Sequence, residues 1–139
     1  MANAFSKVDW PINPKLKPYL TILTSEPISE DLVKLFCKAT ELLDPIIRPV
    51  RIKVVFARKY FIITIPEDTI ACRIHELLIY DLSKLEKITD KRYIIAVFLE
   101  EFIHCYLNSE DENLVARKTG ELYPELTFDE KTGKYLPRS

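Results

Sequence analysis

Glycine is nearly missing from this chain. Gly120 and Gly133 are the only two in 139 residues, so no glycine-rich phosphate cradle or dinucleotide fingerprint can be built. An excess of one charge is missing too. The 20 Lys and Arg balance 21 Asp and Glu, for a net charge of −1 and a pI of about 6.1, which removes the footprint of a dedicated nucleic-acid binder. No uncharged stretch approaches the roughly 20 apolar residues of a membrane span, and residues 1–7 lack a basic region followed by an apolar one. The expectation is a soluble, unsecreted protein with no membrane partner. Cys37, Cys72 and Cys105 are odd in number, widely spaced and set among apolar residues. That suits reduced thiols in a cytoplasm better than a disulfide framework.

What is present is an ordinary globular composition, 47% hydrophobic and 29% charged, in a length that fits one domain with a substantial core. Residues 1–28 hold Pro11, Pro14, Pro18 and Pro27 with Trp10 and Tyr19, and read as an extended lead-in across the domain surface. Ser29-Glu-Asp opens a helix over 29–44, with Leu32, Phe36, Ala39 and Leu43 at helical spacing before Pro45. The period then drops to two. Val50, Ile52, Val54 and Phe56 alternate along one strand, 60–65 is rich in β-branched and aromatic residues, and Arg58-Lys59 reads as a hairpin turn between them. A third strand is expected within 72–80 and a short helix or turn at 81–86. Asp90 is placed to cap a helix over 91–107, a last helix follows over 109–123, and 127–139 reads as a polar tail. The fold class is therefore α+β: one domain over 29–126 with an N-terminal helix, a small sheet of three or four strands, and two further helices.

The helix over 91–107 is the informative element. From Tyr93 to Leu107 it is apolar at every position except Glu100, Glu101 and His104, so it is buried nearly all round. Val97, Glu100, Glu101 and His104 share one face by the i, i+3, i+4, i+7 pattern. Two carboxylates in such a helix must face water, pair with cations, share a proton or bind a metal. Arg51, Lys53 and Arg58 are candidate cations for Glu101. Glu100 and His104 stand one turn apart, the spacing at which two side chains can hold one ion.

Ala96-Val-Phe-Leu-Glu-Glu-Phe-Ile-His-Cys-Tyr-Leu resembles the active-site helix of zincin metallopeptidases, H-E-x-x-H within an apolar run, with Glu100 where the first histidine stands. An apolar strand and short turn (77–84) precede it and an acidic segment, Ser109-Glu-Asp-Glu, follows, as in the compact gluzincin type. The resemblance covers roughly residues 50–124 and implies the following roles. Glu101 is the general base, Glu100 and His104 are metal ligands, and Glu112 is the third ligand, with Glu110 and Asp111 as its substitutes. Glu100, Glu101 and His104 would border one cleft with the sheet as its far wall. A Glu/His/Glu set would bind zinc less aptly than a histidine pair and favour harder divalent ions such as manganese or iron. Two functions follow from the resemblance. One is a metal-dependent hydrolase of peptides. The other is a catalytically inactive relative that serves as a binding or regulatory module for a peptide or protein, with no metal.

Plainer roles exist for the same residues. Ser109 and Glu112 fit the S-x-x-E capping box. His75-Glu76 repeats the H-E pair without a ligand one turn on, and reads as strand. The basic residues Arg48, Arg51, Lys53, Arg58 and Lys59 fit a solvated sheet face or guarded edge, and a phosphate-contacting patch is the minor alternative. Cys105 lies about 100° round the helix from His104 and reads as packing.

Overall fold

The computed structural model describes residues 5–58 and 76–138. Its four helices, mixed four-stranded sheet and small two-stranded sheet form a single α+β domain. In chain order the elements are β1 (Ser6–Val8), β2 (Leu20–Thr24), α1 (Glu30–Leu42), β3 (Ile52–Ala57), β4 (Glu76–Asp81), α2 (Leu82–Leu85), α3 (Lys91–Leu107), α4 (Glu112–Leu122), β5 (Leu126–Asp129) and β6 (Lys134–Pro137). The main sheet runs β1-β2-β3-β4. β1 is antiparallel to β2, while β2, β3 and β4 are mutually parallel, with Ile22 beside Val54 and Val54 beside Leu78.

The helices start where short polar side chains can take orphan N–H groups. Ser29 Oγ accepts from Leu32 N at 3.3 Å, and Asp90 Oδ1 accepts from Arg92 N at 3.0 Å. α3 ends at Asn108, which enters the left-handed region at φ 49° and ψ 47°, a conformation that Asn tolerates better than other non-glycine residues.

Two segments differ from their sequence-based reading. The proline-rich lead-in is extended, yet it supplies two strands of the sheet, and β2 lies inside it between β1 and β3. Pro11, Pro14 and Pro18 fall in the connection from β1 to β2, so the strand itself keeps all its donors. Asn13 fixes that connection from within: it is buried, its N–H donates to Thr40 Oγ1 at 3.1 Å, and its Nδ2 donates to Thr40 O and Asp44 Oδ1. The polar tail is the second difference. It forms the β5–β6 hairpin, turned at Gly133 with φ 70°, where Asp129 accepts from Gly133 N, Lys131 N and Thr132 Oγ1. The stretch 60–65, Lys59, Cys72 and His75 lie outside the described residues, and with them the expected hairpin. β3 itself has its edges paired to β2 and β4. The Arg58 guanidinium joins Glu26 at 2.7 Å and Glu86 at 2.6 Å.

The core lies between one sheet face and the pair α1 and α3. Phe36 of α1 is its hub, with ring centroids 5.4 Å from Phe56, 5.2 Å from Phe98 and 6.0 Å from Phe102. Trp10 packs on the same cluster, 5.6 Å from Phe36 and 5.4 Å from Phe56. Tyr80 of β4 donates its hydroxyl to the Phe98 carbonyl at 2.9 Å, tying the sheet to the middle of α3.

Because Phe36 is fully buried, Phe36→Ala is expected to cost about 3–5 kcal/mol, read from denaturant melts. Phe128→Ala on the half-buried hairpin should cost clearly less. Equal losses would mean that the aromatic cluster is not the centre of stability.

Candidate functional site

α3 carries the candidate residues because its remaining surface is apolar and enclosed. Ile94, Ile95, Phe98, Leu99, Phe102, Ile103 and Tyr106 are all buried, which leaves Glu100, Glu101 and His104 on the side where cover is thinnest. Glu101 is exposed, while Glu100 and His104 are half-buried. An open cleft of about 710 Å³ lies against this face, lined among others by Glu101, His104, Ser109, Glu110 and Glu112, with Leu78 of β4 on the sheet side.

His104 is fixed at one ring nitrogen and faces a carboxylate at the other. The left-handed turn at Asn108 brings the Ser109 carbonyl back over α3, 2.7 Å from His104 Nδ1. A carbonyl oxygen only accepts, so Nδ1 carries the hydrogen and Nε2 faces the cleft. There Glu112 Oε1 stands 3.4 Å from Nε2, with side-chain exposures of 22% for His104 and 78% for Glu112. Burial disfavours the imidazolium, but the Ser109 carbonyl and then the charges of Glu112, Glu101 and Glu100 outweigh it, so the His104 pKa lies above its ordinary value.

Glu112 is free to do this because it is not a cap. Asp111 caps α4 instead, its Oδ1 accepting from Asn113 N at 3.1 Å and Leu114 N at 3.2 Å. Ser109 Oγ accepts from Asp111 N, so the expected capping box does not form and the helix starts at Glu112, three residues after the expected 109. Asp has the same capping chemistry as Ser, and two competing cap residues in one tetrapeptide left the choice open. Asp111 is thereby committed, whereas Glu110 lines the cleft.

Glu100 goes elsewhere. Its Oε2 accepts the hydroxyl of Tyr135, from β6, at 2.7 Å, and it does not line the cleft. Burial pushes its carboxyl above the usual range against the lowering effect of the Tyr135 bond, and the charges of Glu112 and Glu101 add to the rise. The structure therefore brings Glu101, His104 and Glu112 to one cleft and turns Glu100 away from it. Tyr135 is the residue that sequence reasoning missed. The alternation of Leu126 and Phe128 before a Thr132-Gly133 turn, and of Tyr135 after it, is the signal that could have found its strand. Arg58, a candidate partner for Glu101, is taken by Glu26 and Glu86.

The resemblance implies a divalent metal, and the donor set can be tested against one. His104 Nε2 and the Glu112 carboxylate face each other with Nδ1–H fixed on a backbone carbonyl, the orientation that metal-bound histidines share. The set stops at those two. Glu100 is held by Tyr135, and among the described residues no group of three His, Cys, Asp or Glu is placed to hold an ion. As arranged, the residues do not fit the metal.

His104 gives a direct readout of this geometry. Its NMR titration midpoint should lie above the ordinary histidine value near 6.5, and Glu112→Gln should lower it. Since the folded pKa is raised, the stabilisation from the protonated pair is complete below about pH 6.5 and is lost as pH rises through the folded midpoint. A midpoint unmoved by Glu112→Gln would mean that the pair does not exist in solution. No protein-family model, curated protein or solved structure matches this chain.

Proposed function

We propose that this chain is a metallopeptidase-like domain that works as a binding or regulatory module for a peptide or protein partner. The observation that supports this most is the Tyr135–Glu100 hydrogen bond of 2.7 Å. It occupies the residue standing at the first ligand position and leaves two donors, His104 and Glu112, where a hydrolytic centre of this type needs three. The cleft beside them is open and carries the carboxylates of Glu101, Glu110 and Glu112, so it favours a partner segment with a cationic side chain over an anionic one.

A second reading, the peptide hydrolase with a Glu/His/Glu set, is favoured by a different observation. His104 and Glu112 do meet, and Glu101 lies on their cleft. Nucleic acid is the least supported partner, since Arg58 is paired twice over with carboxylates. Among the described residues no helix is long and apolar enough to cross a membrane. Cys37 is half-buried, with burial raising its pKa first and the charge of Glu41 adding to it.

Zinc titration of the purified chain separates the two readings. The binding-module reading expects no stoichiometric ion on the wild type and no peptide cleavage, and expects Glu100→His to create zinc affinity by restoring the H-E-x-x-H spacing beside Glu112. A wild type that retains one ion per chain, lost in both His104→Ala and Glu112→Ala, would overturn it in favour of the hydrolase.

A further inference from the structure

The contact on which the binding-module reading rests is made by the C-terminal hairpin. Tyr135 reaches across 35 residues of sequence to the one carboxylate of α3 that is turned from the cleft. Glu100 and His104 are one helical turn apart, and side chains at i and i+4 on a helix are neighbours, with Cβ atoms about 5–6 Å apart. Glu112 already touches His104. Distance along the helix thus does not keep Glu100 from the pair; its hydrogen bond does. We propose that Tyr135 is a positioning residue, an intramolecular latch by which the β5–β6 hairpin withholds Glu100 from the His104–Glu112 pair and so keeps the site from assembling three donors.

The hairpin is anchored independently of Glu100, as a latch requires. The Tyr135 carbonyl accepts from Tyr93 Oη at 3.1 Å, Leu126 at the start of β5 is buried in the core cluster, and β5 packs against α4. Loss of the Tyr135 hydroxyl alone leaves all three contacts in place. The bond that it removes is to a carboxylate and short, the kind that holds a side chain most firmly. Once released, Glu100 keeps its place on α3, one helical turn from His104.

This inference rests on the binding-module reading, and one experiment tests the two separately. Zinc alone is titrated into full-length wild type, Tyr135→Phe, Tyr135→Phe combined with Glu100→Gln, and Tyr93→Phe. Tyr135→Phe should bind one zinc per chain with an apparent affinity about 10- to 100-fold above wild type, the range set by one hydrogen bond to a charged group. The gain should vanish when Glu100→Gln is added, and Tyr93→Phe, which loosens the hairpin without touching the Glu100 bond, should show none. Thermal melts of Tyr135→Phe close to wild type verify that the hairpin stays docked. An unchanged or weakened affinity in Tyr135→Phe overturns the latch, as does an equal gain in Tyr93→Phe, which would assign the effect to the hairpin as a whole. Wild type that binds one zinc tightly sinks the binding-module reading whatever Tyr135→Phe does, whereas wild type and Tyr135→Phe that both stay empty sink the latch alone.

Discussion

A helix that is apolar around most of its circumference must be enclosed, and the rest of this domain is arranged to enclose α3. α1 covers one side, β4 another and α4 a third, while β6 closes the side near Tyr93 and Glu100. Each apolar side chain moved out of water contributes roughly 1.5–3 kcal/mol, and α3 buries seven large ones, so leaving any side open would forfeit a large share of a net stability of about 5–15 kcal/mol. The small sheet alone could not cover it. That is why both ends of the chain are drawn into the fold: Ile12, Leu16 and Ile22 from the proline-rich start and Leu126 from the polar end are buried in the core.

The same enclosure explains how two adjacent carboxylates meet different fates. Successive positions on a helix are 100° apart, so Glu101 projects to the open cleft and is hydrated, while Glu100 projects under the hairpin. A half-buried carboxylate without a donor is costly, and Tyr135 supplies the donor without a counter-charge. Arg58 shows the other solution: two carboxylates, Glu26 and Glu86, satisfied by one guanidinium at the end of β3. The chain places its cation where it joins β3, α2 and the loop before α1, away from α3.

What was legible in the sequence follows from range. α1 and α3 announce themselves through local period and caps, and the buried set of α3, from Ile95 through Phe98 to Phe102, follows from that period alone. The approach of Glu112 to His104 was implied only by the resemblance to zincin helices, since the residues themselves read equally well as a capping box; it depends on the break at Asn108 and the start of α4 at Glu112. β2 was hidden because its five residues lie between Pro18 and Pro27 and the prolines dominate any window drawn across them. The hairpin was hidden because its turn is polar and its strands are short. The Tyr135–Glu100 bond had no local trace: hydrogen-bond partners 35 residues apart leave no periodicity in a single sequence. The start of α4 was ambiguous for a different reason, in that Ser109 and Asp111 are equally good caps and only tertiary placement decides between them.

The position of the hairpin in the chain also sets an order of events during synthesis. Residues 126–137 emerge from the ribosome after every element they cover, at a rate of about 5–20 residues per second. Until they arrive, α3 is complete but one side of it is bare, and Glu100 has no partner. The nascent domain therefore passes through a state in which Tyr93 Oη and the Glu100 carboxylate both lack the Tyr135 contacts that they make in the finished domain. A chain cut before Tyr135 would be fixed in that state, with the Glu100 carboxylate half-buried on α3 and without its hydroxyl donor.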